Sequence, residues 1–567
     1  MRVLRISLSD RTARWEPVPD GLRGLGGRGL SSALVAAEVP PEADPLGPDN
    51  VLVLAPGLLA ATAVPNTGRL SVGAKSPLTG TVKEANAGGA LAQKLARLGA
   101  AAVVLEGRSP EPLVLGLSVQ GVTFEPAGDL WGLGTRAVVE GLRAARPGQA
   151  FALIGPAGER RLKAAAVCVT TSDDRIRTAS RGGLGAVLGS KGVKALCVED
   201  AGGPGVSPAE PERFRAAAGA LAKGIQIHPL TAGFAALGTA MLVPLINEMG
   251  GLPTRNFSDG RFEGAARIGG EVLAQRIASR PGGSTTHRCM PGCIVNCSQV
   301  YTDAGGTVVT SGLEYETLGL MGSNCAIDDL DAIARLDGAC DDLGLDTMEV
   351  GAAAGVAMEA GRLPWGDGAR LLAALRGIPA GDPLGTLLGN GSVEAGRALG
   401  VRRVPAVKGQ GLAAYDPRVL KGTGVTYATS PMGADHTAGN ALPSPANPSY
   451  DPSSPKGQGE MSRFLQAYFA AVDTLGLCLF ASIPVLESPD LQARLVEAVS
   501  ARLGTPLPED YLLDLGSRVC LGEREFNRRA GFAREADRLP AFFAEESLPP
   551  HGAVWDVSDG DLDGVWG

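Results

Sequence analysis

The sequence predicts an α+β protein: a β-rich N-terminal domain over residues 1–205, then two mainly helical domains over 206–410 and 411–567. Three observations carry this. Apolar runs of strand length dominate the first part. A Gly-Pro break, Ala201-Gly-Gly-Pro-Gly205, precedes a change to helical periodicity. A second Gly- and Pro-rich stretch opens the last part. A chain of 567 residues exceeds one ordinary domain, so about two to four are expected.

In chain order, Val51–Leu54, Ala102–Leu105, Pro112–Leu115 and Ala164–Val169 suit buried strands, and Gly89–Leu98 reads as a helix ended by Gly99. Ser207-Pro208-Ala209-Glu210 has the form of a capping box and predicts a helix start. Asp328–Leu336 predicts another helix, with acidic residues in its first turn. Residues 441–455 hold too many prolines for helix or central strand, and so long a loop suits a cover over a site. Gln466–Val472 and Leu491–Val499 are helical again. No tandem repeat of solenoid length is legible, only a short echo: Asp341-Asp-Leu-Gly-Leu-Asp346 and Asp473-Thr-Leu-Gly-Leu-Cys478 share D-x-x-G-L-(D/C).

Composition narrows the class. A net charge of −8 without a Lys/Arg tract argues against nucleic-acid binding. The N-terminal residues lack the apolar core of a signal peptide, and charged residues and glycines interrupt every apolar run, so no membrane span and a cytoplasmic location are expected. Nine unevenly spaced cysteines do not form a disulfide framework; they read as reduced thiols or metal ligands.

Three of those cysteines, Cys289, Cys293 and Cys297, fall at i, i+4 and i+8. That spacing fits a helix face, but Pro291 and Gly292 break such a helix, and a loop can turn three thiolates to one centre. An iron–sulfur cluster, zinc and simple packing remain the readings, with Cys168, Cys197, Cys325, Cys340, Cys478 and Cys520 as candidate fourth ligands. In the paired motifs, Gly permits a turn after a helix, and Asp341 or Asp473 accepts hydrogen bonds from a heterocycle or merely precedes a helix cap. Asn86-Ala-Gly88-Gly89 leads into a helix with free amides, and Arg69 and Arg181 flank Gly-rich stretches, a pattern for holding anions. Arg181 to Gly192 lacks the Walker pattern. Glu314, Glu316 and His436 (beside Asp435) are acid/base candidates.

Together these features resemble the tungsten-containing aldehyde:ferredoxin oxidoreductase family. The resemblance runs from Gly26-Gly-Arg-Gly-Leu30 and Asp44–Asn50 through Ser76–Gly80, Asn86–Gly89, Arg181–Gly192, the cysteine stretch, Glu314-Tyr-Glu-Thr317, the paired motifs and Gly433–Thr437, over nearly the whole chain. It implies tungsten or molybdenum held by the sulfurs of two pterins, a magnesium ion bridging the pterin phosphates, and a [4Fe–4S] cluster ligated by Cys289, Cys293, Cys297 and Cys478. It implies pterin contacts at Arg69, Asn86, Gly88, Ala179, Arg181, Asp341, Asp346, Asp473 and Leu477. Glu316, with Glu314 as rival, and His436 take the proton-handling positions. The implied fold is a β-rich cofactor base with two helical domains above it. The implied activity is aldehyde oxidation to the acid, or its reverse, with electrons passing to a ferredoxin or an iron–sulfur subunit. Reduction of another carbonyl or an acyl thioester within a larger complex is the alternative, and an iron–sulfur electron-transfer subunit without catalysis is the more remote one. Oligomeric state, a homodimer included, stays open. The chain departs from the family in three places: the first two cysteines are spaced CxxxC, Thr178 and Ser180 replace a common Arg and Gly, and Arg335 stands where some members carry a metal-binding Glu.

Overall fold

A computed structural model describes residues 1–444 and 446–567. Twelve strands precede residue 200: β1 Arg2–Ser7, β2 Thr12–Pro17, β3 Leu52–Pro56, β4 Leu70–Lys75, β5 Val82–Ala87, β6 Ala100–Glu106, β7 Leu113–Ser118, β8 Gly121–Pro126, β9 Ala150–Leu153, β10 Val167–Thr170, β11 Ile176–Ala179 and β12 Val193–Val198. They form two six-stranded sheets, ordered β2-β1-β6-β3-β4-β5 and β8-β7-β12-β9-β10-β11. The orders coincide when each strand is advanced by six. So do the pairings: β1–β6 and β7–β12 are parallel, and all others are antiparallel. Helix Gly27–Glu38 between β2 and β3 corresponds to Thr135–Ala145, and Leu91–Arg97 between β5 and β6 to Leu184–Ser190. The N-terminal part is therefore an internal duplication. The sequence hides it because few identities survive, Leu25-Gly-x-Arg28 against Leu133-Gly-x-Arg136 among them.

Alternation along the strands explains the layering. Leu4, Ile6, Leu52 and Leu54 of one sheet share a core with Leu113, Leu115, Ala152 and Val167 of the other. The opposite faces carry the helices: Val3, Val53 and Ala55 pack on Leu30 and Leu34, and Val114, Phe151 and Leu153 pack on Val138 and Leu142. Strands covered on both faces read as continuous apolar runs, which is why they were visible in the sequence.

Beyond residue 205 the chain is mainly helical, in keeping with the α+β expectation. Two details differ. The first helix runs Pro211–Ile227, not from Ser207: Ala209 and Glu210 donate their N–H groups to Arg502 and Ala501 carbonyls, so 207–210 stays outside the helix and Pro211 takes the first turn. A three-stranded sheet, β13 Ser284–His287, β14 Ser298–Thr302 and β15 Val308–Ser311, interrupts the helical stretch, and its β13–β14 connection is the cysteine loop. Positive φ at Gly292 (77°) and Asn296 (55°) keeps this loop out of a helix. The expected loop 441–455 is irregular, is tied down by Ser444 donating to Glu487, and includes Pro445, which lies outside the described residues. Among the described residues no single helix is long and apolar enough to cross a membrane.

Candidate active site and thiol pocket

The paired D-x-x-G-L motifs end two helices, Leu330–Leu343 and Gln458–Leu475, and each docks on one half of the duplication. Gly344 (φ 70°) and Gly476 (φ 76°) adopt the left-handed conformation, so the helix-cap reading of the motif is correct as local structure. A Cβ on Gly57 would lie 2.2 Å from Gly476 Cα, and one on Gly155 2.3 Å from the Leu343 carbonyl carbon, so only glycine allows either contact. Arg69 N–H donates to Gly476 O (3.2 Å), and the equivalent Ala166 N–H donates to Gly344 O (2.8 Å). The next residue but one, Cys478 or Asp346, is the N-cap of the following helix in both cases.

On the first half the motif meets the cysteine loop. Cys289, Cys293, Cys297 and Cys478 share one packed cluster, whereas Cys168 and Cys197 lie under the second sheet, Cys325 and Cys340 in the helical core, and Cys520 against Ala470. Asn66 joins the two segments. Its carbonyl accepts from Cys478 N–H (2.8 Å), its Oδ1 from Ile294 N–H (3.0 Å), and its Nδ2 donates to Cys293 Sγ (3.4 Å). A hydrogen bond from Cys289, with further donors at Asn296, Val295 and Asn66, brings the Cys293 thiol down to about 6, while Cys289 rises and burial pushes Cys297 and Cys478 up. Among the described residues no three Cys, His, Asp or Glu side chains converge tightly enough for one bare ion.

Between this pocket and the sheets lies a polar chain. Arg69 donates to Asn86 Oδ1 (2.6 Å) and Asn86 O (3.1 Å), and Asn86 Nδ2 donates to Asp473 Oδ1 (3.1 Å). Burial pushes Asp473 up to about 6 against the pull of Arg28 and Arg69. Gly88 backs Cys289: a Cβ there would lie 3.1 Å from its sulfur. Leu477 is buried beside Cys478. On the second half, Arg181 pairs with Asp346 (3.2 Å) and Glu349 (3.7 Å), Ala179 is buried in the β10–β11 ladder, and Asp341 Oδ2 lies 3.3 Å from the Thr310 hydroxyl. Burial raises Asp341, and raises Asp346 to about 6.

The acid/base candidates separate. Glu316 Oε1 lies 3.1 Å from His436 Nε2, and Ala414 N–H fixes the other oxygen at 2.8 Å. Glu314 is not part of this pair; it accepts from Thr239 (2.6 Å), and burial raises its pKa. Behind His436, burial would raise Asp435, but Lys83 (2.7 Å), Arg181 and His436 overcome it and hold that carboxyl well below the usual range. Lys83 and Asn66 escaped the sequence reading. A buried lysine on a strand next to Glu84 gives no local sign of its distant partner, and Asn66 sits in a turn (φ 59°) of ordinary composition. Among the described residues, buried polar atoms without a hydrogen-bond partner include Arg181 Nε, Asp346 Oδ2, Glu316 Oε1, His436 Nδ1 and Tyr427 Oη. The two ion pairs among them meet the distance but not the angle, so they keep bonding capacity for a polar guest, as a pterin cofactor requires.

A duplicated base carrying a four-thiol pocket and a carboxylate–imidazole pair defines a redox-cofactor protein. Sequence models described as aldehyde ferredoxin oxidoreductase, N-terminal domain, and domains 2 & 3 match residues 3–200 and 217–563, and the chain belongs to this family. It is 35% identical to the tungsten-containing aldehyde ferredoxin oxidoreductase of Thermococcus kodakarensis over 578 residues, covering 97% of this chain and 92% of the relative. It is 33% identical to the Pyrococcus furiosus protein of that name over 576 residues, with the same coverage. A WOR-like subunit of an aliphatic sulfonate oxidoreductase from P. furiosus is 25% identical over 87% of this chain and 80% of its own length. In fold the chain is similar to the active-site complex BamBC of benzoyl coenzyme A reductase, with a TM-score of 0.80 and 21% identity over 95% of this chain and 90% of that one.

Proposed function

We propose that this chain is a tungsten (or molybdenum) bis-pterin oxidoreductase that interconverts an aldehyde and its carboxylic acid and passes electrons through a [4Fe–4S] cluster to a ferredoxin-like acceptor. The observation that carries it is the Glu316–His436 pair, poised with spare bonding capacity in a chain that also gathers four thiols. Cys289, Cys293, Cys297 and Cys478 would ligate the cluster. Arg69, Asn86, Gly88 and Asp473 on one half, with Leu477, and Ala179, Arg181, Asp341 and Asp346 on the other, would line the two pterins. When bound, these groups supply two-electron exchange with the substrate and single-electron transfer outward.

The chain's own residues manage the proton. Because Ala414 N–H occupies one oxygen of Glu316, the proton exchanged in the reaction is held between Oε1 and His436 Nε2. Asp435, anchored by Lys83, keeps the His436 turn in place through its bonds from Thr437. Names of the relatives at 32–35% identity favour an aldehyde over the thioester that the more distant fold neighbour takes.

Metal analysis of anaerobically purified protein tests this: one tungsten or molybdenum and about four irons per chain are expected, and zinc alone would overturn it. Glu316→Gln should lower aldehyde-dependent dye reduction by about 10²–10⁴-fold with metal content unchanged. Silence of the wild type across an aldehyde panel, with metals intact, would favour the thioester reading.

A further inference from the structure

Helix Lys421–Thr429 is buried along its whole length, and one of its faces is polar. Thr423 and Tyr427, one turn apart, share that face. Thr423 is satisfied: its hydroxyl donates to Asn440 Oδ1 (2.9 Å) and accepts from Ala441 N–H (3.1 Å). Tyr427 is not. Its side chain is fully buried and its hydroxyl has no partner among the described residues. An unpaired buried hydroxyl is costly, and two other buried tyrosines avoid it: Tyr315 donates to Ala414 O, and Tyr468, farther along, donates to Ser482 O (2.8 Å). The helix packs against the turn that carries His436, with the Thr426 hydroxyl donating to Gly439 O (2.7 Å), and Glu316, Tyr415, Arg181 and Asp435 all act electrostatically on the Tyr427 phenol. Tyr415 lies 5.7 Å from His436 and 5.0 Å from Tyr315 between ring centroids, so an aromatic ring lies against the imidazole of the acid/base pair.

We propose that the Tyr427 hydroxyl is a substrate-binding group that donates a hydrogen bond to the carbonyl or carboxylate oxygen of the molecule turned over beside Glu316 and His436. This rests on the function proposed above and adds a residue to it. Burial, with Glu316 and Tyr415 close by, raises the phenol well above its ordinary value, so it stays a donor across the working pH range. Tyr427 then donates to the substrate oxygen, while Glu316 and His436 hold the proton exchanged in the reaction. Each of these groups keeps an unused position in the absence of substrate.

Tyr427→Phe removes one oxygen and leaves the ring packed. A hydroxyl kept for a ligand and one kept for the fold make opposite predictions. With the first, Tyr427→Phe melts at the same temperature as the wild type or higher, since a buried unpaired donor is gone, while the holoenzyme binds acetate and benzoate, as product-class carboxylates, about 10-fold or more weakly by calorimetry. Tyr468→Phe, which loses its bond to Ser482, melts lower and binds the carboxylates as the wild type does. A lowered melting temperature for Tyr427→Phe, or unchanged carboxylate affinity, overturns the assignment. Wild-type holoenzyme that holds tungsten or molybdenum and iron, yet neither oxidises aldehydes nor binds either carboxylate, defeats the proposed function, and this inference falls with it. Wild-type binding matched by Tyr427→Phe defeats the inference alone.

Discussion

Residues 2–106 and 113–198 build the same sheet, in the same strand order, and receive the same D-x-x-G-L turn through the same backbone contacts. They differ in what the turn delivers. On the first half it delivers Cys478, into a pocket where Gly88 makes room for Cys289. On the second it delivers Asp346, which meets Arg181 and Glu349. One scaffold thus presents a soft, thiol-rich end and a hard, ionic end to whatever lies between them. The chemical asymmetry resides in a few side chains and not in the backbone.

The largest effect expected is at the soft end. Cys478→Ser should abolish or severely reduce iron binding, measured by metal content and the visible absorption of the cluster, because serine is a poor replacement for a thiolate ligand. Cys520→Ser, buried in a separate cluster against Ala470, should keep its iron. The reverse pattern would place the fourth ligand elsewhere and end the comparison.

The second test concerns how the halves hold their helices. Arg28 is buried and paired with Glu523 (2.8 Å), whereas its counterpart Arg136 is exposed and its guanidinium bonds the Val309 and Gly338 carbonyls. Glu523→Ala leaves a buried guanidinium short of its partner and should cost about 3–5 kcal/mol in chemical denaturation. Arg136→Ala should cost about 1 kcal/mol or less. Equal losses would mean that the first half is no more dependent on buried charge than the second.

Legibility in the sequence followed sequence separation. The strands showed as apolar runs because helices cover their outer faces, and the three close cysteines showed because Pro291 and Gly292 forbid the helix their spacing suggests. The echo of the two motifs was visible as well, down to the final Asp or Cys. What stayed hidden needs partners hundreds of residues apart. The duplication survives in hydrogen-bond order, not in residue identity, since any apolar residue serves a doubly covered strand. Glu314 and Glu316 could not be ranked from spacing. Two residues apart across the start of a short helix, they point to different neighbours, and only the fold shows that Glu316 has His436 while Glu314 has Thr239. The β13–β15 sheet escaped because its strands are short and polar, with β13 reading Ser-Thr-Thr-His.

The close glycine contacts test the shared part of the comparison. Gly57→Ala and Gly155→Ala each push a methyl group into the backbone of a motif, at 2.2 Å and 2.3 Å from the nearest atoms. Both should lower stability by about 3 kcal/mol, the upper end of overpacking, because backbone cannot step aside as a side chain does. The two losses should be similar. A tolerated Gly155→Ala beside a damaging Gly57→Ala would show that only the thiol side needs its motif tightly seated.

The smallest effect is a pH dependence at the ionic end, and it has a definite sign. Burial raises Asp346 from an ordinary 3.8 to about 6, although Arg181 opposes the shift. The folded protein therefore keeps this proton to a higher pH than the unfolded chain. Between about pH 4 and pH 6 the folded state binds more protons, so the contribution of Asp346 to stability falls as pH rises through that window and is fully lost above it. Asp346→Asn cannot titrate, yet still caps its helix, because asparagine is as good an N-cap as aspartate. The stability difference between wild type and variant, followed by denaturation on cofactor-free protein, should shift by about 2 kcal/mol across the window, in favour of the variant at the higher pH. A difference that is flat with pH would mean that Arg181 fully compensates the buried charge. The ionic end would then be a settled ion pair and not a strained site waiting for a ligand.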